Sequence, residues 1–224
     1  MNRGRPSAGL FLDFDGTLAD SLGALRAVYD RFLESNGRKG SDREFEACNG
    51  LVLAEVVGVL RRDHGLESRE DELLARYRGL VSETYGRVPP MPGAGALLRM
   101  AATLSLPVVV VSSAPAALVR SWVRGAGFTE LISDVVGGDQ GVRGKPEPDL
   151  YLLALRRTGC VPARSHAIED SRSGAIAAVD AQLPTWVLGP APAQRACWPD
   201  VVGFIERLDE MVEVIAGARA RDGG

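Results

Sequence analysis

The chain has few of the side chains that most often bind metals or act as nucleophiles. Its 224 residues include 3 cysteines and 2 histidines. Cys48, Cys160 and Cys197 are far apart and form no Cys-x-x-Cys motif, so neither a disulfide framework nor a zinc site is predicted. With only His64 and His166, a Ser-His-Asp triad or a histidine-based metal centre has almost no raw material. Any chemistry must therefore be carried by carboxylates.

The chain also lacks a strong excess of charge and any long apolar run. The formal net charge is −3 and the pI is near 5.5, which gives no electrostatic footprint for nucleic acid or for an anionic membrane. No segment reaches the roughly 20 apolar residues of a membrane span, and no signal peptide is evident before the first predicted strand. We therefore expect a cytoplasmic protein with a small-molecule partner, no nucleic acid, no membrane contact and no obligate protein partner.

What the chain does contain is the composition and patterning of a globular α/β protein. It is 46% hydrophobic and 25% charged. After about residue 90, helical patterns alternate with short apolar runs, which predicts a doubly wound parallel sheet covered by helices on both faces. Residues 21–88 interrupt this alternation with helical patterns alone. This insert has 11 Lys and Arg against 12 Asp and Glu, a balance that favours covering a small substrate over gripping a polyanion.

The most informative motif is an apolar run, residues 9–12, that ends in two carboxylates and a glycine turn. Asp13 and Asp15 are two residues apart, so along a strand they would point to the same side. Two carboxylates that close are unfavourable unless a cation or a proton separates them. The motif therefore predicts a metal-dependent site at the carboxyl edge of the sheet, where open α/β folds bind their ligands.

Three further segments place polar side chains at predicted strand ends or in the following loops. These side chains are Ser112 and Ser113 after a run of four valines, Lys145 in the loop 141–148, and Glu169 and Asp170 after residues 166–168. Carboxylates suit Mg²⁺, a lysine and a serine can hold phosphoryl oxygens, and an aspartate can attack phosphorus. Together these parts predict phosphoryl transfer. Taken singly, each has an ordinary structural explanation, such as a helix N-cap at Asp170 or at Ser21.

The order and wording of these segments resemble the haloacid dehalogenase superfamily. Asp13-Phe14-Asp15-Gly16-Thr17-Leu18 resembles its first motif, Ser112 its second, Gly-Lys-Pro-Glu-Pro-Asp around Lys145 its third and Glu169-Asp170-Ser171 its fourth. The helical insert is similar to the superfamily's C1 cap. The resemblance implies a Rossmann-like core made of residues 1–20 and 89–224, with an α-helical cap at residues 21–88.

The resemblance also implies roles for single residues. Asp13 would be the nucleophile and a Mg²⁺ ligand, and Asp15 would be the acid and base, with its backbone carbonyl on the metal. Asp170 would complete the metal site, with Glu169 acting directly or through water. Ser112 and Lys145 would hold the phosphoryl group, aided by backbone groups at Gly16 and Ser113. The implied activity is Mg²⁺-dependent hydrolysis of a small phosphomonoester, such as a sugar phosphate or phosphoglycolate, through an aspartyl-phosphate.

Other activities in the superfamily are weighed by departures from their patterns. Dehalogenases lack the second acid of the first motif, which is Asp15 here. β-Phosphoglucomutases resemble this chain more closely, but at the positions of their sugar-phosphate-binding residues we find Leu25, an arginine-free stretch 49–53 and Ala114-Pro115. A phosphonoacetaldehyde hydrolase needs a cap lysine, and Lys39 in a glycine-flanked loop is the only one. A phosphatase is therefore preferred, with a mutase or a catalytically silent binding protein as alternatives.

The same comparison indicates where substrate specificity is set. The cap near Asn49 and Leu53, with the loops around Ala114 and Arg172, is expected to distinguish among phosphatase substrates.

Overall fold

A computed structural model of the chain describes residues 8–191 and 195–222. Within these residues there are six strands and nine α-helices. The strands are β1 (Leu10–Leu12), β2 (Val108–Val111), β3 (Asp134–Val136), β4 (His166–Glu169), β5 (Thr185–Leu188) and β6 (Gly203–Ile205). The helices are α1 (Leu22–Glu34), α2 (Asp42–Cys48), α3 (Leu53–His64), α4 (Glu70–Tyr85), α5 (Ala94–Thr103), α6 (Ala116–Gly125), α7 (Asp149–Thr158), α8 (Arg172–Asp180) and α9 (Glu210–Asp222).

All six strands form one parallel sheet in the order β3-β2-β1-β4-β5-β6. Because β1 lies between β2 and β4, the chain order reverses at the centre of the sheet, where doubly wound folds open a crevice at the carboxyl ends of the strands. The central strands are apolar throughout since helices cover both faces. The predicted doubly wound sheet is therefore present.

The sequence patterns missed one strand, β6, at the edge of the sheet. It has three residues, of which Gly203 and Phe204 are only partly buried, so no run of buried apolar residues marks it. Its pairing with β5 comes from backbone hydrogen bonds, such as that from the Gly189 N–H to the Ile205 carbonyl at 2.8 Å. A short edge strand of this kind depends on its neighbour rather than on its own sequence.

Helices α1 to α4 follow β1 directly and contribute to one side of the hydrophobic core. Helix α4 packs against both α1 and α3, and the shared interior contains the fully buried side chains of Phe32, Leu33, Leu60 and Leu73. Tyr77 of α4 meets Phe32 edge to face, with ring centroids 5.0 Å apart. We call residues 22–85 the helical segment.

The chain enters and leaves the helical segment at neighbouring points. The Asp20 N–H donates to the Pro89 carbonyl and the Met91 N–H donates to the Leu18 carbonyl, each at 2.9 Å. Ala19 forms isolated β-bridges with both Asp15 and Pro90. Both crossings therefore lie beside the turn that follows β1.

Candidate active site

The carboxyl ends of β1 and β4 bring together residues that are more than 150 positions apart in the sequence. Asp13 follows β1 directly, and its N–H donates to the Ile168 carbonyl at 2.9 Å, which fixes its backbone against β4. Glu169 is the last residue of β4, and Asp170 follows it. The predicted convergence of these acidic groups at one edge of the sheet is thus what the structure describes.

Lys145 is buried among these acids. Its Nζ donates to Asp13 Oδ1 at 2.5 Å, to Glu169 Oε1 at 2.6 Å and to the Val111 carbonyl at 2.9 Å, and its side chain is 1% exposed. Burial opposes the charge of the ammonium group, but the carboxylates of Asp13 and Glu169 outweigh it and raise the pKa of Lys145. This lysine therefore stays charged and joins β1, β2 and β4 through one group.

Asp13, Glu169 and Asp170 form an acidic cluster. Each offers a carboxylate oxygen, and these oxygens lie within 4.8 Å of one another. Burial, followed by the charge of Asp13, raises the pKa of Glu169 to about 7 and holds the pKa of Asp170 well above its ordinary value. A cluster that resists ionisation in this way is relieved by a cation. Hard oxygen donors at this spacing fit Mg²⁺.

Asp15 has its own environment, away from Lys145. Ser21 Oγ donates to Asp15 Oδ1 at 2.6 Å, and the Tyr85 hydroxyl donates to the same oxygen. Burial, followed by the charge of Asp13, raises the pKa of Asp15 to about 6, and the two hydroxyl donors partly offset this rise. A carboxyl group that titrates near neutral pH can both give and accept a proton within one reaction cycle.

Two tyrosines at the site were not anticipated from the sequence. Tyr85, the last residue of α4, is 5% exposed and stacks on Phe14 with ring centroids 5.4 Å apart. Tyr151 of α7 is fully buried and donates to Glu169 Oε1 at 2.6 Å. The only sequence signal for either is a tyrosine on the buried face of an amphipathic helix, and this pattern is also typical of ordinary core residues.

The serines and the turn glycine occupy more specific positions than the sequence indicates. Ser112 is buried at the end of β2, where its Oγ accepts from the Ala114 N–H at 3.0 Å. Ser113 lines the central cavity and donates to the Gly50 carbonyl at 2.5 Å. Ser21 is not a side-chain cap of α1, and Ser171 rather than Asp170 caps α8 by accepting from the Gly174 N–H.

Gly16 permits a close approach of two backbone segments. Its φ is +79°, and a Cβ at this position would overlap the Asp170 carboxylate. Its N–H already donates to the Ala19 carbonyl at 2.9 Å, so it is not a free donor for a bound anion. Gly16 therefore serves the site by admitting Asp170, and its direct contact with phosphate remains a prediction.

A cavity of about 640 Å³, part of it open to solvent, adjoins the carboxylates. On one side lie Asp13, Asp15 and Asp170, which we call the sheet wall. On the other lie residues of the helical segment, which we call the helical wall: Leu25, Phe45, Leu51, Leu53, Val56 and Tyr77. Asn49, Gly50 and Ala114 also line the cavity, whereas Arg172 is not among its lining residues and donates from Nε to the Cys197 carbonyl at 2.5 Å.

Comparison with known proteins agrees with this geometry. The sequence model of the haloacid dehalogenase-like hydrolase family matches residues 10–188. The chain is similar to hexitol phosphatase A of Escherichia coli, with 29% identity over 77% of this chain and 79% of that protein. It is also 29% identical to the bifunctional riboflavin kinase/FMN phosphatase of Arabidopsis thaliana over 90% of its own length, and it spans about half, 54%, of that longer relative.

A solved structure of a β-phosphoglucomutase from Clostridium difficile superimposes with a TM-score of 0.82 over 96% of this chain and 99% of that one. At 13% identity this likeness shows the fold alone. The predicted fold class and the resemblance drawn from the motifs are confirmed. The chain belongs to the haloacid dehalogenase-like hydrolase family, and the expectation of an enzyme of this family is confirmed with it.

Within the part of the chain that the structure describes, no helix combines the length and the apolar character needed to cross a membrane.

Proposed function

We propose that this member of the haloacid dehalogenase-like hydrolases is a Mg²⁺-dependent phosphatase that hydrolyses small phosphomonoesters through a phosphoryl group carried on Asp13. The observation that carries the proposal is the placement of Asp13 between two different partners. Lys145 and the acidic cluster lie on one side of it, and Asp15, with a pKa near 6, lies on the other.

The residues supply each part of a two-step displacement. An oxygen of the Asp13 carboxylate attacks phosphorus while the ester P–O bond breaks, and Asp15 gives its proton to the leaving alcohol oxygen. Asp15, now ionised, then takes a proton from the water that attacks phosphorus and releases Asp13 and phosphate. Lys145 holds phosphoryl charge and keeps the Asp13 carboxylate oriented.

The acidic cluster fits a magnesium ion, since its three carboxylates are hard oxygen donors with raised or mutually opposed charge. Asp13 and Asp170 would bind the ion, and Glu169 would do so directly or through water. When bound, the ion offsets the negative charge of the phosphoryl group and of these carboxylates. The names of the relatives, hexitol phosphatase and FMN phosphatase, support a phosphorylated metabolite as substrate.

Residues 21–88 are proposed to act as the cap over this chemistry, with 1–20 and 89–224 as the catalytic core. The helical wall supports hydrolysis over transfer between sugar hydroxyls. Leu25 and Ala114, which occupy the positions compared with sugar-binding residues of the mutases, both line the cavity. Neither can donate a hydrogen bond from its side chain to a sugar phosphate.

The experiment measures phosphate release from acetyl phosphate and p-nitrophenyl phosphate with and without Mg²⁺. We expect metal-dependent turnover that Asp13→Asn lowers by about 10³-fold or more, because the nucleophile is removed. Asp20→Asn, a matched change at an exposed aspartate, should leave it intact. Undiminished turnover in Asp13→Asn, or none in the wild type with Mg²⁺, would refute the proposal.

A second arm tests the covalent step. With acetyl phosphate, whose leaving group needs no proton, Asp15→Asn should form the phosphoryl-enzyme but release it slowly. Mass spectrometry after an acid quench should then find one added phosphoryl group on the peptide that contains Asp13. Conversion of β-glucose 1-phosphate to glucose 6-phosphate without phosphate release would instead identify a mutase.

A further inference from the structure

The helical wall is almost entirely hydrocarbon where it faces the acids. Its side chains come from helices α1, α2, α3 and α4 and from the turn before α3, and Val56 and Tyr77 are nine-tenths or more buried. Leu25, Phe45 and Leu53 are half-buried and turn toward the cavity. A surface of this kind is complementary to apolar parts of a ligand.

No cation is available on this wall for a second negative charge. Among the described residues that line the cavity, none is lysine, arginine or histidine. Lys145, the nearest cation to the acidic cluster, is committed to Asp13, Glu169 and the Val111 carbonyl. A carboxylate or second phosphate on the leaving group would be enclosed beside aspartates without a partner, which is strongly unfavourable.

The cavity also has few free hydrogen-bonding groups for a polyhydroxylated ligand. The Asn49 amide donates to Asp170 Oδ2 at 3.4 Å, Ser113 is bonded to the Gly50 carbonyl, and Tyr85 to Asp15. The Tyr77 hydroxyl is the exception: it has no hydrogen-bond partner among residues 8–191 and 195–222. A buried hydroxyl without a partner is unfavourable, so a ligand with many hydroxyls fits poorly and one with a single polar group fits well.

We propose that the alcohol released by this enzyme is uncharged and mainly apolar, with at most one hydrogen-bonding group directed at Tyr77. This inference rests on the proposed phosphatase function, in which the sheet wall takes the phosphoryl group and the helical wall takes the rest of the substrate. It distinguishes this chain from phosphatases whose substrates carry a second anion.

Binding and turnover test the two claims separately. Non-hydrolysable phosphonates are titrated in the presence of Mg²⁺ by calorimetry, with 3-methylbutylphosphonate as the apolar ligand and phosphonoacetate as the doubly anionic one. We expect the apolar phosphonate to bind about 100-fold more tightly, because its partner has an unpaired charge in the cavity. Equal or tighter binding of phosphonoacetate would overturn the inference whether or not the protein turns over any phosphate ester.

The matching kinetic comparison uses 3-methylbutyl phosphate, sorbitol 6-phosphate and phosphoglycolate, with acetyl phosphate as the reference for phosphatase activity alone. We expect kcat/KM to fall in the order given. Preference for the polyol or for phosphoglycolate would contradict the assigned substrate class. Loss of acetyl phosphate turnover would count against the phosphatase function itself and would leave the binding order as the test.

Leu53→Arg supplies the missing cation at a half-buried position of the helical wall. It should raise kcat/KM for phosphoglycolate and lower it for 3-methylbutyl phosphate, reducing their ratio about tenfold or more. Ala54→Arg adds the same charge to the exposed neighbouring residue and should leave the ratio unchanged. An equal effect of both variants would attribute the change to overall charge and refute the role of the wall, and circular dichroism checks that both variants fold.

Discussion

On the sheet side of the cavity, buried carboxylates and one buried ammonium group are joined by short hydrogen bonds, whereas the helical side presents leucine, valine and aromatic side chains. The sheet wall depends on charges that balance one another, so removal of one partner leaves the others unmatched. The helical wall depends on shape and contact area, so a small change there has a local effect. Chemistry and substrate choice are thus carried by two kinds of surface that respond differently to mutation.

The largest effect is expected from Lys145→Met, which removes the only cation of the Asp13–Lys145–Glu169 group. We expect kcat to fall by about 10²- to 10³-fold. The free energy of unfolding should fall by about 3 kcal/mol at pH 8, since two carboxylates lose their partner. Chemical denaturation measures the loss, which should be smaller at pH 5, where protonation relieves the carboxylates.

Lys39→Met is the matched control for this variant, because Lys39 is exposed in a loop of the helical segment. It should change neither kcat nor stability. Similar stability of the two variants at pH 8 would contradict the description of the sheet wall as a balanced set of charges.

Tyr151→Phe removes one hydrogen bond to Glu169 and leaves the aromatic ring in place. Because Glu169 is a proposed metal ligand, the Mg²⁺ concentration that gives half-maximal activity should rise about tenfold. The thermal midpoint measured against Mg²⁺ concentration should shift in the same way.

The control for Tyr151→Phe is Tyr29→Phe. Tyr29 is a buried tyrosine of the helical segment whose hydroxyl donates to Glu44, so its loss is chemically the same but remote from the site. A shift of the Mg²⁺ midpoint in Tyr29→Phe would show that general destabilisation, and not the bond to Glu169, is responsible.

Tyr85→Phe joins the two walls in one test, because Tyr85 belongs to the helical segment and donates to Asp15. Its hydroxyl lowers the pKa of Asp15 from the value that burial and Asp13 would give. Without it the pKa should rise by about one unit, so the protonated acid persists to higher pH and the basic limb of kcat moves upward.

This shift should occur with an alkyl phosphate, whose leaving oxygen needs a proton, and not with acetyl phosphate. Tyr77→Phe, which alters the same cavity without touching Asp15, should leave the pH profile in place. An unshifted limb in Tyr85→Phe would separate Tyr85 from proton transfer and leave it as a packing residue on Phe14.

The smallest effect is expected from Cys48→Ala on the cavity lining of the helical segment. Burial raises the pKa of the Cys48 thiol to about 11, so it is neutral at the pH of the assay and contributes contact area only. Stability should fall by about 1 kcal/mol, and kcat for acetyl phosphate should stay within about twofold. A large loss of kcat would contradict the separation of the two walls.

Much of the sheet wall could be predicted from the sequence. Strand ends are marked by apolar runs, and parallel topology brings their carboxyl ends to one edge, so Asp13, Lys145, Glu169 and Asp170 could be grouped without coordinates. Their hydrogen bonds could not, because they depend on side-chain direction. Lys145, for instance, bridges Asp13 and Glu169 at distances set by the packing of the loop 141–148.

The helical wall was predictable only as a region. Helix periodicity located α1 to α4, and the resemblance placed Leu25, Asn49, Leu53 and Ala114 near the substrate, where the structure puts them on the cavity lining. It also suggested Arg172, which contacts the Cys197 carbonyl and does not line the cavity. Tyr85 and Tyr151 escaped notice because a buried tyrosine on a helix face has the same pattern whether its hydroxyl meets a carboxylate or not.

The bonds from Ser21 and Tyr85 to Asp15 affect how the protein could be rebuilt or could have diversified. Ser21 directly precedes the helical segment and Tyr85 ends it, yet both hold one oxygen of the carboxyl group next to the nucleophile. Exchanging the helical segment for that of a relative would replace part of the environment that sets the acidity of Asp15. Chimaeras joined at residues 21 and 88 would therefore inherit a different pH optimum along with a different substrate, unless the donor supplies hydroxyl groups at both junctions.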